Sequence, residues 1–239
     1  MAKKRREQFH QKNQRKQLQF YAMVGGAGII VAAVIFFLFT SNQSAPIPEG
    51  VAEAYAGIEQ GFTGDGFPRL GKVDAPIIVE EYSSFGCPHC KTLHDTELPR
   101  LMDEIKAGHV QVVFKPITTI GGNEAVKAAR AALCAGDQGR FWEMHDIMFA
   151  WQGEYAVNSG RLEGAAEALS IDADKLKECY NSNKTAAVIR ISEREFNDNG
   201  FGSTPYVVVN SVPVESNGEN NWSAMGAIIA DELAKLPGQ

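Results

Sequence analysis

Cys87 and Cys90, separated by Pro88 and His89, are the residues of this 239-residue chain whose types and spacing point most directly to chemistry. A thiol–disulfide exchanger needs one sulfur that ionises near neutral pH and a second within reach to resolve a mixed disulfide. A cysteine at a helix start meets the first need, because unsatisfied N–H groups and the helix dipole stabilise the thiolate. A second cysteine one turn further on meets the other, since it can close a ring of acceptable disulfide geometry. His89 adds a donor and partial positive charge beside the sulfur, which favours the reduced form and makes the disulfide more oxidising. On this logic Cys87 is the nucleophile and Cys90 the resolving thiol. A zinc site built from Cys87, Cys90, His89 and His94 is the competing reading. Side chains at adjacent motif positions do not converge tetrahedrally, and no second CxxC or HxxxH pair is present.

The motif needs a strand before it and a helix after it. Residues 77–82 are a short β-rich run entered from Asp74-Ala75-Pro76, and the Cys pair follows directly after Phe85-Gly86. Leu98, Leu101, Met102 and Ile105 then repeat at helical spacing. Pro88 suits the first helical position, and Pro99 is expected to kink the helix. Val110, Val112 and Phe114 alternate as a second strand. The stretch 124–182 is helical in character, 185–199 is another helix, and 206–209 and 212–215 form a hairpin around Asn210-Ser211. Trp222, Met225, Ile229, Leu233 and Leu236 mark a closing helix. Helices connecting strands imply an α/β fold with a partly parallel sheet covered on its faces.

Charge is unevenly spread. Lys3, Lys4, Arg5, Arg6, Lys12, Arg15 and Lys16 face only Glu7 in residues 1–19, whereas from Ser41 onward 16 Lys/Arg stand against 28 Asp/Glu. An acidic body lacks the clustered cations that neutralise phosphates, which excludes nucleic acid as a partner. Residues 20–40 carry no charge, and 21 helical residues span about 31 Å, close to a bilayer's hydrocarbon thickness. The run is longer than a signal-peptide core, and Ser44-Ala45-Pro46 is a poor cleavage site. The expectation is an uncleaved single-pass anchor in the cell membrane, with the basic tail cytoplasmic and the acidic body outside. Residues 41–66, rich in Gly, Pro, Ser and Ala, read as a stalk with one short helix at 51–59. The folded domain then runs from 67 to 239. All four cysteines lie beyond the anchor, where an oxidising compartment permits disulfides.

Three stretches together resemble the DsbA-like thioredoxin-fold family. They are Gly66-Phe67-Pro68-Arg69-Leu70-Gly71 with 74–82 and Phe85-Gly86-Cys87-Pro88-His89-Cys90; Phe141-Trp142-Glu143-Met144-His145-Asp146; and 202–210 with Gly202-Ser203-Thr204-Pro205. The resemblance covers residue 66 to the C-terminus. It implies a thioredoxin fold with a helical insertion over about 122–184. It also implies a cis Thr204–Pro205 peptide facing the Cys pair, and a buried acid at Glu81 assisting proton transfer for the resolving Cys. From the residues alone, Glu80 competes with Glu81 for the inward position. Asn210-Ser211 departs from the family's usual Asn-Gly, which leaves the turn type open.

The resemblance further implies a disulfide between Cys134 and Cys179, the alternative being two buried free thiols. It implies no cofactor and no metal. The partners implied are exported proteins with free cysteines and a membrane redox partner of the DsbB or VKOR type. The Pro88-His89 dipeptide between the cysteines favours an oxidase. A reductase or isomerase of the same fold and a chaperone-like binding module are the rivals.

Overall fold

The computed structural model describes residues 45–214 and 222–236, with 23, 26, 28, 30–33 and 35 of the N-terminal segment. Contacts divide the chain into two units, Met1–Ser44 and Ala45–Gln239. The basic tail and most of the expected spanning segment 20–40 lie outside the described residues. Those of 20–40 that are described are helical, and Met23, Ile30, Val31 and Ile35 are 57–69% exposed. Among the described residues no helix is long and apolar enough to cross a membrane.

In the second unit the strands are β1 (Gln60–Phe62), β2 (Pro68–Leu70), β3 (Ile77–Ser83), β4 (Val110–Pro116), β5 (Tyr206–Val209) and β6 (Val212–Pro213). The helices are α1 (Pro88–Thr96), α2 (Leu98–Ala107), α3 (Gly122–Gly136), α4 (Phe141–Trp151), α5 (Ser159–Ala168), α6 (Ala173–Asn181), α7 (Ala186–Asp198) and α8 (Trp222–Leu233). One sheet runs in the order β1-β2-β4-β3-β5-β6. Its central pair, β3 and β4, is parallel, joined through α1 and α2; the other pairings are antiparallel. Every residue of β4 is buried, as a strand covered on both faces requires. The helical insertion comprises α3 to α6. Phe141, Trp142, Met144, Ile147, Met148, Phe149 and Trp151 make α4 apolar on all sides, so it lies inside the unit rather than on it.

Three expectations are corrected. Pro99 does not kink one helix: the helix ends at Thr96, and α2 restarts with Pro99 in its first turn, where a missing N–H costs nothing. The expected helix at 51–59 shrinks to a 3-10 turn, Val51–Glu53. The stalk reading of 41–66 fails from residue 45 onward. Ala45, Val51 and Tyr55 are buried, and β1 and most of the approach to β2 fall inside the supposed linker. α4 supplies the reason: Trp151 Nε1–H donates to the Pro46 carbonyl at 2.8 Å and Tyr55 O–H to Asp146 at 2.7 Å. Arg140, just ahead of α4, donates to the Ala52 carbonyl at 3.0 Å. At the hairpin, Asn210 and Ser211 have φ of 47° and 67°, so the turn has both central residues left-handed, as a type I′ turn demands. Asn210 also reaches back to β3, accepting from the Ile78 N–H at 2.9 Å.

Candidate active site

Local chemistry builds the turn between β3 and α1. Cys87 is the helix N-cap in an extended conformation (φ −98°, ψ 120°), and Pro88 occupies the first turn. The Cys87 carbonyl accepts from the N–H groups of Cys90 at 3.1 Å and Lys91 at 3.2 Å, starting the helix. Ahead of it, Ser84 Oγ donates to the Ile120 carbonyl at 2.6 Å and accepts from the Gly86 N–H at 3.2 Å. A Cβ on Gly86 would sit 2.4 Å from Gly121 Cα, so only glycine lets the redox turn touch the loop before α3.

Both sulfurs are free, Cys87 6% exposed and Cys90 wholly buried. Thr204–Pro205 is a cis peptide, and Cys87 as a thiol donates to the Thr204 carbonyl at 3.2 Å. The Thr204 hydroxyl is buried without a partner, so it is free to donate once Cys87 ionises. The Cys87 thiol is held down at about 5. Hydrogen bonding from the Cys90 thiol contributes most, ahead of the Thr204 hydroxyl and the backbone N–H groups of Cys90 and His89, against the opposing effect of burial. Burial, and then the hydrogen bond it gives Cys87, push Cys90 far the other way. Cys90 Sγ also accepts from the Ser84 N–H at 3.3 Å. One sulfur is therefore readily ionised, and its partner is a buried thiol that keeps its proton. His89 acts through its backbone N–H; its ring is exposed and, among the described residues, bonds neither sulfur.

Strand alternation decides between the two acids of β3. Glu80 turns to the face carrying Lys115, pairing with Nζ at 2.7 Å, while Glu81 turns inward and is 6% exposed. Burial raises Glu81 to about 7, and its Oε1 has no partner. Glu81 shares a small cavity with Leu93, Leu98, Leu101, Val207 and Met225, behind α1.

His94 does not join the cysteines. It lies with His145 and Asp146, whose ligand atoms fall within 4.8 Å of one another. Burial lowers His94 to about 4 and His145 to about 3, so both rings are neutral. His94 Nδ1 and His145 Nε2 have no partner, and Asp146 is already bonded by Tyr55. A ligating imidazole is oriented by a hydrogen bond at its second nitrogen, which neither ring has. The trio is a buried polar brace between α1, α4 and Tyr55. Ser84 and the 120–121 loop were not singled out from the sequence, because backbone donors and a close approach leave no periodic signal.

Cys134 of α3 and Cys179 of α6 form a disulfide with Cα atoms 5.7 Å apart.

The thioredoxin family pattern matches residues 65–231. The chain belongs to the DsbA-like thioredoxin-fold family. It is 30% identical over 172 residues to a putative protein-disulfide oxidoreductase of Rickettsia prowazekii, covering 70% of this chain and 62% of that one. It is 32% identical over 166 residues to Na(+)/H(+) antiporter NhaA 1 of Salinispora arenicola, covering 69% of this chain and 24% of that one. The chain thus spans about a quarter of the antiporter's length. The crystal structure of oxidised BdbD from Bacillus subtilis shares the fold at a TM-score of 0.61 and 24% identity, over 70% of this chain and 93% of that one.

Proposed function

We propose that this chain is an extracytoplasmic thiol–disulfide oxidoreductase that introduces disulfides into exported proteins through Cys87 and Cys90. The observation that carries this reading is the division of the pair into a thiolate held at about 5 and a buried, protonated partner. A stabilised thiolate stabilises the reduced form, so the disulfide is a strong acceptor of electrons. In the cycle, a substrate thiolate attacks Cys87 Sγ and the Cys87–Cys90 bond breaks. Cys90 leaves as a thiolate steadied by the Ser84 N–H and takes up a proton, for which Glu81, near 7, is the proposed source. The second substrate thiolate then attacks the substrate sulfur of the mixed disulfide and expels Cys87. The substrate has lost two electrons and the protein holds them as a dithiol. The cis Thr204–Pro205 segment lies against Cys87, where it can line up the incoming chain.

Return to the disulfide is assigned to a membrane partner of the DsbB or VKOR type. Residues 20–40 as a single anchor, with the basic tail cytoplasmic, complete the proposal. It is supported by the charge asymmetry, by the exposed Ile30, Val31 and Ile35, and by a relative in which the matched domain belongs to an antiporter.

The test is the equilibrium of the Cys87–Cys90 pair with glutathione, read together with the thiolate absorbance of Cys87 against pH. An oxidase gives a pair that glutathione reduces readily and a titration midpoint near 5. A pair as hard to reduce as thioredoxin's, about −270 mV, would overturn the oxidase direction.

A further inference from the structure

The turn that carries Cys87 has a second hold besides the Gly86–Gly121 contact, and it acts on the turn's own carbonyls. Gln152 follows the last residue of α4, at the edge of a cleft of about 520 Å³ lined also by Phe85, Gly86, Pro88 and Trp151. Its Nε2 donates to the Phe85 carbonyl at 2.7 Å and to the Cys87 carbonyl at 3.1 Å. One amide group thus spans the residue on each side of Gly86, in the same cleft that Gly121 lines.

We propose that Gln152 is a positioning residue for thiol exchange, its side-chain amide fixing the Phe85–Cys87 turn so that the Cys87 sulfur stays over the first N–H groups of α1. The proposal rests on the redox reading given above. The Cys87 carbonyl already accepts two N–H groups of the helix, and the Gln152 amide is a third donor on the same oxygen. Drawing those carbonyl dipoles toward a donor holds their negative ends away from the sulfur. It also fixes the peptide that aims the His89 and Cys90 N–H groups at it. Gln152 itself is anchored, its N–H donating to the Phe149 carbonyl at 3.2 Å at the end of a largely buried helix. The helical insertion thereby reaches the reactive sulfur's own residue.

Two variants of the full chain test this. Gln152→Glu keeps the shape but removes both donors and brings a carboxylate to two carbonyls; Gln152→Met keeps the bulk without donors. The readouts are the Cys87 titration midpoint, the glutathione equilibrium and the unfolding midpoint of the reduced protein. The Glu variant is expected to raise the Cys87 midpoint by about one unit and shift the equilibrium about tenfold toward the disulfide. The Met variant is expected to shift it about threefold in the same direction, since a neutral loss is smaller than an added charge. A fall in unfolding midpoint with the Cys87 midpoint and equilibrium unchanged would overturn the proposal, leaving Gln152 merely structural. If wild-type Cys87 itself titrates as an ordinary thiol, the redox reading fails and this one with it, a result visible before any variant is made.

Discussion

The chain carries two cysteine pairs that differ in everything except the element. Cys87 and Cys90 lie three apart in one helical turn, beside a cis proline, and are free. Cys134 and Cys179 lie 45 apart, on two helices of the insertion, and are bonded. Around the first pair, N–H and O–H donors converge on one sulfur and burial protonates the other. Around the second there is no helix start and no neighbouring thiol to resolve an exchange. Reactivity is thus a property of the donors around a sulfur, and permanence a property of their lack.

That contrast can be broken in several places. The largest effect belongs to Cys87→Ser, which removes the attacked sulfur and should abolish oxidation of a reduced peptide substrate. Cys90→Ala, offered a disulfide-bonded peptide, should instead accumulate the mixed disulfide formed when the Cys87 thiolate attacks it and no second thiol resolves it, visible as a mass adduct. Next comes Cys134→Ala with Cys179→Ala. Opening a 45-residue loop removes up to about 4 kcal/mol of stability in the chain-entropy account, measured by urea unfolding. The glutathione equilibrium of the first pair should stay within about twofold, a shift under 0.5 kcal/mol, as for distant sites that act additively. A large change there would mean that the two pairs are not separate devices.

Glu81→Gln follows. A carboxyl raised from 4.5 to about 7 in the folded state contributes stability below 4.5 that is lost as pH climbs through 7. The variant should therefore be more stable than the parent at pH 8, by at most about 3 kcal/mol, and equal to it near pH 4. Oxidation rate should fall as well if Glu81 supplies the Cys90 proton. The smallest effect is expected from His89→Ser, because the backbone N–H it uses survives the change. Its Cys87 midpoint, followed by alkylation rate against pH, should remain within about one unit of the parent.

Much of the fold was readable because its long elements carry strong patterns. The apolar runs of β3 and β4 and the helical stripe through Ile105 coincide with what forms. β1 and β2 were not readable: three residues apiece, one containing Gly61 and the other Pro68, are too short to show a period. The segment from 45 to 59 misled for another reason. Its composition is that of a linker, and only the apolar flank of α4, far along the chain, gives Val51 and Tyr55 somewhere to go. Within the site, side chains fixed by spacing, Cys87 and Cys90, stood out at once. Glu81 needed the direction of the strand pleat to separate it from Glu80. Ser84 and Gln152 act on backbone atoms two loops away, and no local pattern announces such a contact.

The order of pairing along the chain has its own consequence. Four thiols allow three connectivities, and here the third and fourth are bonded while the first and second lie together as free thiols. In the order of synthesis Cys87 and Cys90 appear together, long before Cys179. Pairing of neighbours in that order therefore arrives at Cys134–Cys179 with no bond to be exchanged on the way.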